Sequence, residues 1–428
     1  MLKMAAKVGL HEVVSPAERS RLEQAKVITE SLSQLKGAAM KAGQLISLDA
    51  SEYFPPEAIE ILSKLQNQAQ PMKFEDIRRV LLEDLGQERL SQFKGLHSTP
   101  AGAASIGQVH RALLNGQDVA IKIQYPGVRE SIDSDLKVLK KLAGSLMSVT
   151  GRSINLDPVF DELATVLHQE ADYLREAELM QRYKQRLDQS DLRSLRLPSP
   201  LMEHTTHRVL TMDWMQGRSV ADWLRGQPPI RLRERLGHEI LELYCQEFFS
   251  WGLVQTDPNF GNYLIDDADS ENPRWVLIDF GSTLTYDEEF RSMYVELLKA
   301  LSTLSGEKIL EQALRFGLLD SRESEQTKQL FVELMLVSVE PFMGKVGGTS
   351  AFHFRSEEYA QRSRDVGRRF AYSLKFSPPP RKIIFLHRKL GGLFVLLKAF
   401  DISLDVGPYW ERMAGSALKP ASPAIATT

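Results

Sequence analysis

A chain of 428 residues that is 43% hydrophobic and 25% charged is long enough to bury a sizeable core and too apolar to be a disordered polymer. Its 53 basic and 56 acidic side chains leave a formal charge of −3, which removes the global electrostatic case for nucleic acid as a partner. The single cysteine, Cys245, excludes an internal disulfide and fits a reducing compartment; in the run Leu243-Tyr244-Cys245-Gln246-Glu247-Phe248-Phe249 it reads as a small buried hydrophobe.

The first residues, Met1-Leu2-Lys3-Met4-Ala5-Ala6-Lys7, lead into no secretory apolar run, and Glu12, Glu18 and Glu23 are out of place in a transit peptide. Residues 17–48 lack proline and carry Leu22, Ala25, Ile28, Leu32, Leu35 and Ala39 at helical spacing. Further helices are predicted at about 56–67, opened by Pro55-Pro56-Glu57, and at about 74–85. Inside the first of these helices, Lys41 and Gln44 share a face, and Gly37 and Gly43 suggest close approach by another element.

Near residue 95 the pattern changes. Pro100-Ala101-Gly102-Ala103-Ala104-Ser105 is a small-residue stretch that lets backbone come close to a ligand. Ile106–Leu113 and Asp118–Ile123 read as two strands joined by Asn115-Gly116, the strongest short hairpin signal because a type I′ turn needs positive φ at both positions. Lys122 lies in the return strand. Helices are predicted at about 127–148 and 157–187; on the second, Asp172 and Glu176 share a face, while Glu170 lies about 120° round from Glu176. A strand, Leu210-Thr211-Met212-Asp213-Trp214, ends at Gln216-Gly217, and helical periodicity returns from 230 to 252.

Two short strands, 263–265 and 275–278, flank the loops with the clearest chemistry. Gln255-Thr256-Asp257-Pro258-Asn259-Phe260-Gly261-Asn262 holds the Asp-x-x-x-x-Asn spacing of a phosphoryl-transfer loop, and Val276-Leu277-Ile278 leads into Asp279-Phe280-Gly281. A Mg²⁺ ion wants hard oxygen donors and bridges ATP phosphates, so Asp279 and Asn262 are the candidate metal ligands, and Asp257 is the candidate orienter or base for an acceptor hydroxyl. Lys122 is the candidate phosphate-binding lysine, with a carboxylate from the 157–187 helix as its partner. Residues 286–412 read as helical with breaks at Pro341, Gly347-Gly348 and Pro378-Pro379-Pro380. No clean apolar run reaches the ~18–20 residues of a membrane span; Ile383–Phe400 comes nearest, but His387, Arg388, Lys389 and Lys398 interrupt it, and it reads as a buried helix. The tail from 416 reads as disordered.

Together these motifs resemble the UbiB-like, AarF-domain (ABC1-type) atypical kinases, in particular their quinone-biosynthesis branch. The resemblance covers about residues 30–400 and rests on Lys41-Ala42-Gly43-Gln44, Gly102-Ala103-Ala104-Ser105-Ile106-Gly107-Gln108, Val119-Ala120-Ile121-Lys122, Glu170-Ala171-Asp172 with Glu176, and the loops at 255–262 and 279–281. It implies an α+β, bilobal protein-kinase-like fold with an N-terminal helical extension carrying the Lys-x-Gly-Gln motif. The expected boundaries are 1–94 for the extension, 95–215 for a first lobe with an inserted helix, 216–415 for a mainly helical second lobe and 416–428 for the tail.

The resemblance also implies roles. Lys122, Glu176 and Asp257 form the catalytic set; Lys122, Ala103, Ala104, Ser105, Met212 and Asp213 contact ATP or ADP; Asn262 and Asp279 hold Mg²⁺. Lys41 and Gln44 occupy the peptide position of a protein kinase, held by Glu170 and Asp172. The expected activity is Mg²⁺-dependent ATP hydrolysis supporting ubiquinone or isoprenoid-lipid metabolism, with quinone-precursor lipids and lipid-modifying enzymes as partners. A cytoplasmic location is expected, with peripheral contact at the inner membrane and a homodimer left open. Phosphoryl transfer to a protein or small hydroxylated molecule, or a nucleotide-binding scaffold, are the competing readings. The chain departs from the family at Gly102, where alanine is usual, and lacks the paired C-terminal membrane spans of the bacterial branch.

Overall fold

The computed structural model describes residues 72–104, 106–149, 157–192, 194–257, 259–343, 351–374 and 381–415. They fall into two compact units, one holding residues 125–168 and the other residues 72–124 and 169–415. The helices expected at 17–48 and 56–67, with Lys41 and Gln44, lie outside the described residues, as do Ser105, Pro258, the glycine pair at 347–348, the prolines at 378–380 and the tail from 416.

The larger unit opens with α1 (Phe74–Gln92), which kinks at Gly86 (φ 72°, ψ 166°). Its first segment therefore ends where periodicity predicts. Ile77, Val80, Leu81 and Leu85 form one buried stripe and share a core with Ala112, Leu114, Val119, Ile121, Ile123 and Val209. The sheet that supplies those partners begins with β1 (Phe93–Lys94), β2 (Gly102–Ala104), β3 (Gly107–Leu114) and β4 (Gln117–Gln124). Asn115 (φ 53°) and Gly116 (φ 82°) close the β3–β4 hairpin with positive φ at both turn positions, as the sequence predicts.

Gly107 is needed for close approach: a Cβ there would lie 2.2 Å from the Ile123 carbonyl oxygen of the paired strand. Gly107→Ala is accordingly expected to cost about 1–3 kcal/mol in chemical denaturation, because β3 must move off β4; an unchanged midpoint would show that the strands yield there freely.

The smaller unit contains α2 (Val128–Val149) and most of α3 (Asp157–Glu170). His168 Nε2 lies 3.1 Å from Asp133 Oδ1, and Lys140 pairs with Asp157.

Back in the larger unit, the single helix expected over 157–187 is divided. After α3 ends at Glu170, α4 (Tyr173–Asp188) starts afresh with Asp172 as its N-cap (φ −121°, ψ 93°). Asp172 Oδ1 accepts from the Arg175 amide at 3.3 Å, and the Tyr173 amide donates to the His207 carbonyl at 3.1 Å. A short acidic side chain satisfies an open helix-start amide better than it continues a helix, so Glu170, Asp172 and Glu176 lie across a junction rather than on one helix.

Beyond α4, β5 (Leu195–Arg196) and β6 (Val209–Asp213) diverge. β6 pairs with β4 and completes a five-stranded antiparallel sheet of order β1-β3-β4-β6, with β2 beside β3. β5 instead joins the second lobe. There β7 (Arg218–Ser219), α5 (Val220–Arg225) and α6 (Ile230–Cys245) come first. A π-helical turn over Gln246–Trp251 extends α6 and closes at Gly252 (φ 62°). β8 (Leu253–Gln255), β9 (Tyr263–Asp266), β10 (Arg274–Leu277) and β11 (Thr283–Thr285) follow. One sheet has order β5-β10-β9-β7, with β5 parallel to β10; β8 pairs with β11.

The rest is helical as expected: α7 (Glu288–Ser302), α8 (Gly306–Arg315), α9 (Glu325–Val339), α10 (Glu357–Ser373), α11 (Arg381–Phe400) and α12 (Gly407–Gly415). The exception is a small sheet of β12 (Ala351–His353) and β13 (Ser403–Asp405), too short for periodicity to reveal. α11 buries Ile383, Leu386, Leu393, Leu397 and Phe400, the last stacked on Trp275 at 5.7 Å. Among the described residues no helix is long and apolar enough to cross a membrane. A curled sheet packed on a helix, then strand-flanked loops on a helical lobe, make this an α+β protein-kinase-like fold.

Candidate active site

Lys122 sits within β4, paired to Val109 on one side and Leu210 on the other, so both neighbouring strands fix its backbone. Its side chain is buried. The ammonium donates to both Glu176 oxygens at 2.9 Å and to Asp279 Oδ2 at 3.3 Å, and lies 5.0 Å from the Tyr173 ring centroid. Burial works against its charge, but the Asp279 and Glu176 carboxylates outweigh it and hold the Lys122 pKa well above the ordinary lysine value. Burial pushes the Glu176 carboxyl the other way, upward, against the pull of Lys122; the two-oxygen contact favours the charged pair.

Glu176 also reaches the Asp-Phe-Gly turn, where the Phe280 amide donates to its Oε1 at 3.4 Å. One residue earlier on α4, Arg175 donates to the Gly281 carbonyl and the Thr283 carbonyl, both at 3.2 Å. The turn closes on itself through the Gly281 amide and Asp279 Oδ1 at 3.0 Å. α4 thus holds both the strand lysine and the turn that carries Asp279.

The second loop is fixed by its neighbours. Thr256 bonds the Ser282 carbonyl through its amide at 3.0 Å and its hydroxyl at 2.6 Å. Asn259 accepts from the Gly261 amide at 3.0 Å, turning the chain into β9. Asp257, largely buried, receives the Asn262 amide nitrogen at 3.0 Å on one oxygen and Arg388 Nη2 at 3.0 Å on the other. The β9–β10 pairing sets Tyr263 beside Leu277, and the Ile278 amide donates to the Asn262 carbonyl at 3.1 Å. Asn262 is thereby brought next to the residue preceding Asp279.

Because Asn262 spends its amide nitrogen on Asp257, its amide oxygen is left for a ligand. Asn262 and Asp279 together offer a neutral and an anionic oxygen, a hard donor set that fits Mg²⁺.

Ala103 and Ala104 lie in β2, opposite Gln108 and Gly107; Ser105 is outside the described residues. A Cβ added at Gly102 would meet nothing within 4 Å, so the departure from alanine there is not forced by space. Met212 is buried opposite Ala120, and Asp213 Oδ2 accepts from the Ser199 amide at 3.0 Å. Glu170 Oε1 accepts from the Ser282 hydroxyl at 2.7 Å, and Asp172 Oδ1 lies 2.9 Å from His207 Nδ1. Lys41 and Gln44 fall outside the described residues.

Sequence reading missed Arg388 and Lys389, treating them as interruptions of an apolar run. α11 turns both inward: Arg388 to Asp257, and Lys389 to Glu247 at 3.1 Å. Their one sequence signal is a pair of adjacent cations in an otherwise core-forming helix, where unpaired cations are seldom buried.

A family model described as the ABC1 atypical kinase-like domain matches residues 64–313. Among relatives, the probable serine/threonine-protein kinase abkA of Dictyostelium discoideum is 32% identical over 396 residues, 89% of this chain and 69% of that protein. The mitochondrial atypical kinase COQ8 of Saccharomyces cerevisiae is 33% identical over 417 residues, 96% of this chain and 81% of that one. Among solved structures, the Mycobacterium tuberculosis protein Rv3197, determined with erythromycin, superposes with a TM-score of 0.62 at 24% identity, covering 96% of this chain and 100% of its own; it speaks to the fold alone.

Proposed function

The chain belongs to the ABC1 atypical kinase-like family, and from that premise we propose that it binds ATP or ADP with Mg²⁺ and hydrolyses ATP in support of ubiquinone or related isoprenoid-lipid metabolism. One observation carries the nucleotide part of this reading: a buried lysine held 2.9 Å from Glu176 and 3.3 Å from Asp279, drawn from three separate segments of the chain. Such a cation is costly to bury even when paired, and phosphoryl transfer needs one where two phosphates meet the metal carboxylate.

In this proposal Lys122 orients the α- and β-phosphates, and Glu176 holds its ammonium in place with both oxygens beside Asp279. Asn262 and Asp279 hold the metal, and Ala103 and Ala104 bring backbone over the phosphates. Mg²⁺, when bound, supplies neutralisation of phosphate charge. Asp257 accepts the hydrogen bond of a water or acceptor hydroxyl and takes its proton, with the Arg388 guanidinium beside it stabilising the carboxylate. The quinone-precursor lipid, the lipid-modifying partners and peripheral contact with the inner membrane belong to the same proposal. They rest on the resemblance to the quinone-biosynthesis branch.

A thermal-shift titration with ATP or ADP, with and without Mg²⁺, tests the site. Ligand at a hundred times Kd stabilises by about 2.7 kcal/mol, several degrees at about 2–4 °C per kcal/mol. The expected result is a metal-dependent shift in the wild type that Asp279→Asn abolishes. An equal shift in the variant would remove Asp279 as a metal ligand; no shift under any condition would remove the nucleotide site.

A further inference from the structure

Beneath the loop that carries Asp257 lies a buried polar cluster that the reading above does not use. Glu247, in the π-helical turn, is its centre and is fully buried. Its Oε1 accepts from the Tyr183 hydroxyl at 2.8 Å and from the Gln255 amide at 3.0 Å; its Oε2 lies 3.1 Å from the Lys389 ammonium. Lys389 also donates to the Tyr263 hydroxyl at 2.8 Å and to Gln255 Oε1 at 3.4 Å. One carboxylate thus gathers α4, the strand leading to Asp257, and α11, while Lys389 adds β9. A π turn inserts an extra residue into a helix and re-aims its side chains, and here it delivers a glutamate into the core.

Tyr183 lies two turns beyond Glu176 on the same face of α4. Its ring packs edge-on against Phe280 at 5.0 Å and Trp251 at 5.3 Å. In ordinary protein kinases the helix carrying the lysine's glutamate partner swings, and activity is controlled by that swing. Here the start of α4 is tied by Arg175 to the Gly281 and Thr283 carbonyls, and its later turns are tied by Tyr183 to Glu247. Glu247 and Lys389 are both buried, and the cost of burying such a pair is consistent with a geometric purpose.

We propose that Tyr183 and Glu247 are positioning residues: they clamp α4 to the second lobe, so that the Lys122–Glu176 pair and the Asp257 loop are set by one buried carboxylate rather than assembled by a swinging helix. This rests on the kinase-like reading for its catalytic consequence, but the clamp itself does not.

Tyr183→Phe removes the hydroxyl and keeps the ring on Phe280 and Trp251. Tyr286→Phe is the control, since it deletes a tyrosine hydroxyl bond that lies within the second lobe and does not involve α4, to the Lys382 carbonyl at 3.0 Å. Hydrogen exchange on the full chain, read over residues 173–188 and 278–283, is compared with steady-state ATP hydrolysis well below the melting temperature. Tyr183→Phe is expected to speed exchange in those segments about tenfold, the scale of one hydrogen bond to a charged group, and to lower kcat about tenfold with KM for ATP little changed. Tyr286→Phe is expected to do neither. Unchanged exchange in Tyr183→Phe, or equal changes in both variants, would overturn the clamp. Faster exchange with unaltered kcat would overturn its positioning role. Faster exchange in a protein that hydrolyses no ATP even as wild type would leave the clamp standing and remove the nucleotide reading instead.

Discussion

Glu176→Gln is expected to lower ATP turnover about 100-fold and to destabilise the fold by about 3 kcal/mol. The substitution keeps the shape of the side chain and the acceptor for the Phe280 amide, but removes the charge that opposes Lys122. A buried charge stripped of its partner costs about 3–5 kcal/mol, and the lower figure is expected because Asp279 Oδ2 already stands 3.3 Å from the ammonium. That second partner limits the loss of stability, so the kinetic effect, about 2.7 kcal/mol for a factor of 100, is of similar size. With Glu176 neutral, Lys122 loses its two 2.9 Å carboxylate contacts and keeps only Asp279, and a misplacement of about 1 Å at the proposed phosphate-binding group is enough for a 100-fold loss. Denaturation midpoints and steady-state ATP hydrolysis measure the two effects separately. Full turnover in Glu176→Gln would show that the ion pair does not set the position of Lys122.

Asp257→Asn is expected to cut kcat by about 10²–10⁴ with the affinity for Mg–ATP nearly unchanged. Asn preserves the outline of the side chain but cannot take a proton, and its single oxygen can keep only one of the two 3.0 Å contacts, to Arg388 or to the Asn262 amide, that the two carboxylate oxygens now make. In the proposed site Lys122, Asn262 and Asp279 carry nucleotide binding and Asp257 serves the chemistry, so binding and turnover are expected to separate. Equilibrium titration beside single-turnover hydrolysis checks this. A loss of affinity as large as the loss of rate would mean that Asp257 organises the loop instead of serving the chemistry.

Much of this candidate site is readable in the sequence because the proposed chemistry fixes spacing along the chain. Asp257 and Asn262 must lie one short turn apart, and Asp279 must follow a buried strand. Lys122 sits on a strand that an Asn-Gly turn makes unmistakable. What escapes is whatever depends on distance along the chain. Arg388 meets Asp257 and Lys389 meets Gln255 across 131 and 134 residues, and neither pairing leaves a pattern in its own segment. The break between α3 and α4 escapes for another reason. Glu170-Ala171-Asp172-Tyr173 keeps an acceptable helical rhythm, and only the N-cap geometry of Asp172 shows that the chain starts a new helix there. The π turn at Gln246–Trp251 is hidden likewise, since one extra residue per turn barely disturbs the apolar period that marks α6.

Strand β5 has a consequence for how the molecule is made. Leu195 and Arg196 lie between α4 and β6, both of which serve the first lobe, yet they pair in parallel with Trp275 and Val276. As the chain leaves the ribosome, β1–β4 and β6 are complete well before β10 exists, so the first sheet is free to form while β5 still lacks its partner. The two lobes then cannot finish as independent folding units. The connection after α4 waits for the strand that leads into Asp279, and a long-range parallel pairing of that kind is the slow step of a topology rather than its nucleus. A fragment ending after β6 should form its sheet and leave residues 195–196 unpaired and open to proteolysis.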